Sequence, residues 1–442
     1  MKRFLKHKKT RSSCHIYAML SKHAKKRHVS FHTPGHKQGQ WDLTELSFSD
    51  NLSSPQGCIA QAERDITNIL GGAKSYLLTD GSTAGILSML YAAKLSGVQT
   101  LAFPLHTHKS VWNGCAALNI RPIVLPSARE IAPLPPTAYE LTNTYASLFE
   151  QADALLITSP TYYGTVADLK GIAALCQAQS KLFLVDGAHG GHLHFDKALY
   201  AGAYADLWVD GVHKSLPAFT QGAIVSARTQ ELAAALQKSV DIFRTTSPSY
   251  PIMASVEYAV KYPRNTKLER LVGDFASCNK DRIFPCEDWT KLCVFFGKQA
   301  LVAKAYLEKE GIFAEFCDGK FLCFYLSPAT KEKEFCFLIK NLKTLFALLP
   351  LEQASMADML QTQLIPAPYV LQNFENGTGV EEVEIERAEC RICAKICGLF
   401  PPCTPLALIG ETITAEKIEL LQNADNVFGL TNGKLAVFKT EK

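Results

Sequence analysis

At 442 residues, with 47% hydrophobic and 20% charged side chains, the chain has the make-up of a soluble globular protein with room for two or three domains. A net charge of +4 is too small to make nucleic acid the main partner, and no apolar run approaches the roughly twenty residues that a membrane span requires. No apolar segment of the secretory type follows the N-terminus, so the 14 cysteines read as reduced thiols of a cytoplasmic protein.

The charge is unevenly placed. Lys2, Arg3, Lys6, Lys8, Lys9, Arg11, Lys22, Lys25, Lys26 and Arg27 all precede the first acid, Asp42, and residues 1–30 read as a basic arm or a basic helix face, with a solvated start. Ser75–Thr79 then reads as a strand, and Asp80-Gly81-Ser82-Thr83 turns into a helix with apolar residues at Ile86, Leu87, Met89 and Leu90. Further short apolar runs lie at 100–103, 154–157, 181–185, 207–209 and 223–225, each followed by glycine, proline or a small polar residue. Buried strands interleaved with helices predict an α/β domain over 31–262 with a mainly parallel sheet, whose ligands collect beyond the carboxyl ends of the strands. Past Tyr262-Pro263-Arg264 the texture changes to charged helical stretches (Lys298–Glu310, Lys331–Leu349) and a strand-like piece at Lys320–Leu326. Residues 263–442 therefore read as a smaller α+β domain.

Four of the strand ends carry chemistry. Gly81-Ser82-Thr83 opens a helix, where backbone N–H groups and the dipole can meet a phosphate, or where a hydroxyl simply caps the helix. His108 follows the run ending at Pro104 and offers a flat ring for stacking, or an ordinary structural imidazole. Asp186 follows Leu182–Val185; a carboxylate so placed can keep a pyridine nitrogen protonated, or can start a turn. Lys214, after His213, sits where burial can yield a neutral amine able to condense with an aldehyde, or where a lysine snorkels from a strand end. In this order the four are parts of one pyridoxal phosphate pocket. Cys390, Cys393, Cys397 and Cys403 match neither paired zinc knuckles nor a standard iron–sulfur run, and are read as packing residues with no metal.

From about residue 15 the sequence resembles the Orn/Lys/Arg decarboxylases of pyridoxal-phosphate fold type I, in their shorter bacterial form. The resemblance runs through Phe31-His32-Thr33-Pro34-Gly35-His36-Lys37, Asp42-Leu43-Thr44-Glu45, Pro55-x-Gly57 with Ala62-Glu63, and Asp80 to Gly85. It continues through His108-Lys109-Ser110, Ser159 to Gly164, Asp186-Gly187-Ala188-His189-Gly190, His213-Lys214 and Thr245 to Tyr250. Phe400-Pro401-Pro402-Cys403-Thr404-Pro405 and Gly410-Glu411-Thr412-Ile413 resemble the family's closing motifs.

The resemblance implies an aspartate aminotransferase-like sheet with a smaller C-terminal domain, and a homodimer or higher homo-oligomer. It implies that Lys214 forms the Schiff base, Asp186 pairs with the pyridinium nitrogen and His108 stacks on the ring. Gly81, Ser82 and Thr83 would hold the phosphate, with Ala188 a further cofactor contact. His213 would lie near the reacting carbon, and Thr246 and Ser247 would line the pocket, a contribution that could come from the partner subunit. Glu411 would take the distal cation of a basic substrate. The implied reaction is decarboxylation of arginine or lysine, with ornithine a further candidate, to the amine or polyamine precursor and carbon dioxide. Three positions depart from the family: Gly211 replaces a serine three residues before the lysine, Gly187 replaces a glutamate, and Cys390 and Cys403 stand where glycine is usual. The Gly211 departure predicts a weakened phosphate grip. Transamination or β-elimination on the same fold remains an alternative; an aminotransferase would be expected to clamp the α-carboxylate with an arginine, and Arg244 and Arg387 are present but not diagnostic. A decayed cofactor-binding homologue is the other.

Overall fold

In the computed structural model the described residues are 1, 4–26, 29–37, 40–126, 132–351, 356, 379–399, 404–423 and 426–439. The large domain is built on a seven-stranded sheet. Its strands are β1 (Lys74–Leu78), β2 (Thr100–Pro104), β3 (Arg121–Leu125), β4 (Ala154–Thr158), β5 (Leu182–Gly187), β6 (Leu207–Asp210) and β7 (Ala223–Ala227), in the order β1-β7-β6-β5-β4-β2-β3. β3, β2, β4, β5 and β6 pair in parallel, and β7 runs against both its neighbours. Parallel pairing needs crossovers, so helices cover both faces and the strands are apolar throughout. Leu155, Ile157, Val185 and Trp208 point into one core, and Leu156, Leu184 and Val209 into the other. Every apolar run named above forms a strand. β3 is an addition: its Arg121-Pro122 start reads poorly as sheet and is tolerated because the strand lies at the edge.

Of the basic arm and the basic helix face that its charge allows, the described part of the N-terminal segment is the second, with Lys8, Lys9, Lys22, Lys25 and Lys26 exposed. It forms helices Lys8–Ser12 and His15–His23, and Leu5, Ile16 and Leu20 are fully buried against the large domain. The second helix is anchored at its N-terminus by Glu257, whose carboxylate accepts from the N–H groups of His15 (2.7 Å) and Ile16 (3.0 Å). An anion there complements the positive end of the helix dipole, and Lys261 balances it at 3.0 Å.

The C-terminal region contains two cores. The first unit has strands β8 (Lys291–Phe295), β9 (Phe316–Cys317) and β10 (Phe321–Tyr325) in the antiparallel order β8-β10-β9. Helices Thr266–Cys278, Ala300–Lys309 and Glu332–Leu348 pack on it through Leu268, Ala303 and Phe335. The second unit, within 379–439, is rich in short strands and carries helix Ala415–Asn423. Its separate core includes Cys393, Cys397, Ile413 and Val437. Leu408 and Ile396 of this unit pack against the large domain, and the Phe428 ring lies 5.0 Å from Lys109 Nζ.

Candidate active site

Strand β6 ends at Asp210, and one helical turn, Val212–Ser215, carries Lys214 beyond it. The turn is pinned to the start of β7: the His213 N–H donates to the Gly222 carbonyl at 3.1 Å, and its ring Nδ1 lies 3.0 Å from the same oxygen. Lys214 Nζ is 3.2 Å from His189 Nε2. His189 is delivered by the turn after β5 and is enclosed by Tyr162 and Tyr325, with ring centroids at 4.6 and 5.5 Å. Burial, then the ammonium groups of Lys214 and Lys291, hold its basicity well below that of a free histidine.

Asp186 is buried beside β4 and β6, opposite Thr158 and Val209, and its Oδ1 accepts the Ala188 N–H at 3.1 Å. Burial raises its carboxyl pKa, and Lys214 and that N–H oppose the rise. His108 caps helix Lys109–Leu118, with Nδ1 accepting the Ser110 N–H at 3.1 Å. Burial, followed by Lys214 and Lys109, pushes the ring down to about 3, so it is a neutral plane at physiological pH. His213 is likewise lowered, by burial first and by Lys214, against the Gly222 carbonyl. The Lys214 charge thus acts on Asp186, His108, His189 and His213 together.

Gly81 begins helix Gly81–Leu95 at φ +78°, a conformation that favours glycine, and its N–H is taken by the Gln221 carbonyl at 2.9 Å. The first turn contains no acid and Asp80 makes no side-chain cap; its Oδ2 instead accepts the Thr245 N–H at 3.2 Å. The Ser82 and Thr83 end of the helix is therefore left for an anion. Thr246 and Ser247 follow Thr245 and are exposed.

The two glycine departures are one packing feature. A Cβ at Gly211 would lie 2.4 Å from the Ala188 carbonyl oxygen, and one at Gly187 would lie 2.9 Å from the Val209 carbonyl oxygen. The ends of β5 and β6 approach too closely for a serine or a glutamate without a backbone shift. The backbone of this chain therefore excludes the family's serine at position 211.

The remaining predicted residues lie elsewhere. Glu411 belongs to the second C-terminal unit, where its carboxylate pairs with Lys417 and accepts the Leu408 N–H at 2.9 Å. Its partners within this chain thus come from its own unit. Cys390 is exposed at φ +60°, which explains why glycine is usual there, while Cys393 and Cys397 are buried in the local core. Phe400–Cys403 lies outside the described residues. Arg244 is buried, bonding the carbonyls of Leu52 (2.8 Å) and Leu77 (3.4 Å) with Glu63 at 3.9 Å, and Arg387 is exposed in the second C-terminal unit. Neither is placed to clamp a substrate carboxylate at Lys214.

Residues 40–281 match the Orn/Lys/Arg decarboxylase major domain. The chain belongs to the Orn/Lys/Arg decarboxylase family. It is 28% identical to the uncharacterized protein YaaO of Bacillus subtilis, over 92% of this chain and 93% of that one. It is 27% identical to the arginine decarboxylase of the same organism, with 93% of both chains covered. The constitutive lysine decarboxylase of Escherichia coli shares the fold, with a TM-score of 0.71 at 19% identity over 97% of this chain and 82% of that one. Three residues beside Lys214 or packed behind its neighbours have no role in the sequence reading. His189 was legible only as part of the Asp186–Gly190 run. Tyr325 and Lys291 come from the C-terminal domain, and a lysine opening an apolar strand gives no sign that it turns inward.

Proposed function

We propose that this decarboxylase acts on arginine or lysine, with ornithine the further candidate, and that it works with pyridoxal phosphate held by Lys214. The observation that carries the proposal is the convergence of Asp186, His108 and His189 on Lys214 at the carboxyl edge of the sheet, Asp186 and His189 buried and His108 and Lys214 half-buried. The residues fit the cofactor. Asp186 is a buried carboxylate with acceptor capacity beyond the Ala188 N–H, suited to a protonated ring nitrogen. The helix end at Ser82 and Thr83, with no acid in its first turn, suits a phosphate.

When bound, the cofactor supplies an electron sink for the pair released as carbon dioxide leaves. Lys214 would hold the cofactor covalently and, once displaced, could in its ammonium form give a proton to the substrate α-carbon. His213, held by the Gly222 carbonyl, would be the second group near that carbon. Asp186 would favour positive charge on the ring nitrogen, and the neutral His108 plane would stack on the ring without adding charge. The buried Asp186 and His189 and the half-buried Lys214, His108 and His213 limit the water around the reacting groups, so that orientation decides which α-carbon bond breaks. Arg244, being tied to backbone carbonyls and close to Glu63, supports decarboxylation over transamination. The exposure of Thr246 and Ser247 is compatible with a homodimer in which they meet a second copy, and the amine product would enter polyamine synthesis in the cytoplasm.

Purified protein mixed with pyridoxal phosphate is expected to show the absorption of a lysine-bound cofactor, and Lys214→Ala to lack it. No such absorption in the wild-type protein would overturn the proposal.

A further inference from the structure

Lys291 is the first residue of β8 in the C-terminal domain, yet its side chain is wholly buried. Its Nζ lies 3.2 Å from Asp288 Oδ2, 2.9 Å from Thr290 Oγ1 and 4.6 Å from the centre of the Tyr325 ring. Asp288 Oδ1 in turn lies 2.8 Å from His192 Nε2, and both side chains are buried. Burying an ammonium costs several kcal/mol, and apolar replacement of buried ion pairs is often neutral or stabilising, so packing alone does not account for the charge.

Two chains of contacts lead from this cluster to Lys214. In the first, the Tyr325 hydroxyl donates to the Tyr162 carbonyl at 2.9 Å, its ring meets His189 at 5.5 Å, and His189 Nε2 lies 3.2 Å from Lys214 Nζ. In the second, the backbone N–H of His192 donates at 3.3 Å to Oγ of Ser215, the residue after Lys214. We propose that Lys291 is a positioning residue for the reaction: from the C-terminal domain it places a fixed positive charge behind Tyr325 that keeps His189 a proton acceptor toward Lys214.

His189 is faced by Lys214 and His213 from the turn after β6, by Lys291 from β8, and by His108 from the start of its helix; Tyr162 and Tyr325 flank it, and Asp186 precedes it on β5. A second proton on its ring would be caught between two ammonium groups. Burial already opposes that proton, and Lys214 and Lys291 add to the opposition. The imidazole therefore orients the lysine by accepting from it. Lys291 contributes without touching substrate or cofactor.

The inference rests on the Schiff-base role proposed for Lys214, and pH titration of the holoenzyme's absorption separates the two. Lys291→Gln is expected to move the titration midpoint up by about one pH unit, because the protonated form no longer meets a second positive charge. Lys291→Arg, which keeps the charge, is expected to titrate like wild type. Asp288→Asn/Lys291→Gln removes both buried charges together and is expected to show a smaller upward move, because the carboxylate that partly offsets Lys291 is removed with it. Superimposed titrations of wild type and both charge-removed variants would overturn the inference alone. If neither charge-removed variant folds, the cluster serves the fold and the inference is also overturned. Absence of lysine-bound absorption in wild type would overturn the role of Lys214 and this inference with it.

Discussion

A side chain at position 211 would meet the Ala188 carbonyl oxygen 2.4 Å from its Cβ, so restoring the family's serine would not restore its hydroxyl's reach to the phosphate. Gly211→Ser is expected to destabilise the fold by about 1–3 kcal/mol through overpacking and to weaken cofactor binding, since Ala188 also donates to Asp186. Thermal unfolding and cofactor titration of the variant check this; unchanged stability with tighter binding would refute it. Asp186→Asn is expected to lower the rate of carbon dioxide release by orders of magnitude while the lysine-bound absorption persists, because the amide cannot hold the ring nitrogen's charge. Retention of near wild-type turnover would count against the assigned role. At this scale Lys214, Asp186 and His108 stand out in the sequence because each lies within or a few residues beyond a recognisable apolar strand. His189 was less so, since its role depends on how the turn after Asp186 folds back toward another strand.

The element whose character changed most between sequence and structure is the N-terminal helix His15–His23. Its docking is hidden in the sequence because the partners of its first turn lie far along the chain, Asp65 for the His15 ring and Glu257 for the His15 and Ile16 N–H groups. Its apolar stripe, Ile16, Tyr17 and Leu20, was present but short. Glu257→Ala strips the buried acceptor from two N–H groups and from Lys261, and is expected to cost roughly 3–5 kcal/mol. Limited proteolysis should then cut within the first 26 residues. Full resistance in the variant would show that Glu257 does not hold the helix. The sheet was easier to read than this helix because its central strands are buried on both faces and so are apolar without interruption. Edge strand β3, with Arg121 and Pro122, lacked that signal, as did the short strands of the C-terminal region.

For the whole molecule, burial of neutral imidazoles makes acid a threat. His108 is pushed from 6.5 down to about 3 by burial and by Lys214 and Lys109, so the unfolded chain binds more protons there than the folded one. Its contribution is fully present above pH 6.5 and is lost as pH falls toward 3. His194, lowered to about 4 chiefly by burial, adds to the same loss. Asp210 works in the opposite sense. Burial raises it to about 7 against the hydroxyl of Tyr200 at 2.6 Å, so its contribution is present below pH 3.8 and lost as pH rises through 7. Asp210→Asn is therefore expected to flatten the decline in stability between about pH 4 and pH 7, as read from denaturant midpoints across pH. A decline as steep as wild type would contradict it. The change in texture near residue 262 is visible in the sequence, and the antiparallel β8-β10-β9 unit lies beyond it. The contacts by which Lys291 and Tyr325 reach the site were not, because they join strands from two domains.

Carbon dioxide release from carboxyl-labelled arginine, lysine and ornithine, with pyridoxal phosphate present and Lys214→Ala alongside, tests the central claim most directly. Release from arginine or lysine that is abolished in the variant is the predicted result. No release from any of the three by the folded, cofactor-loaded protein, or equal release by Lys214→Ala, would contradict it.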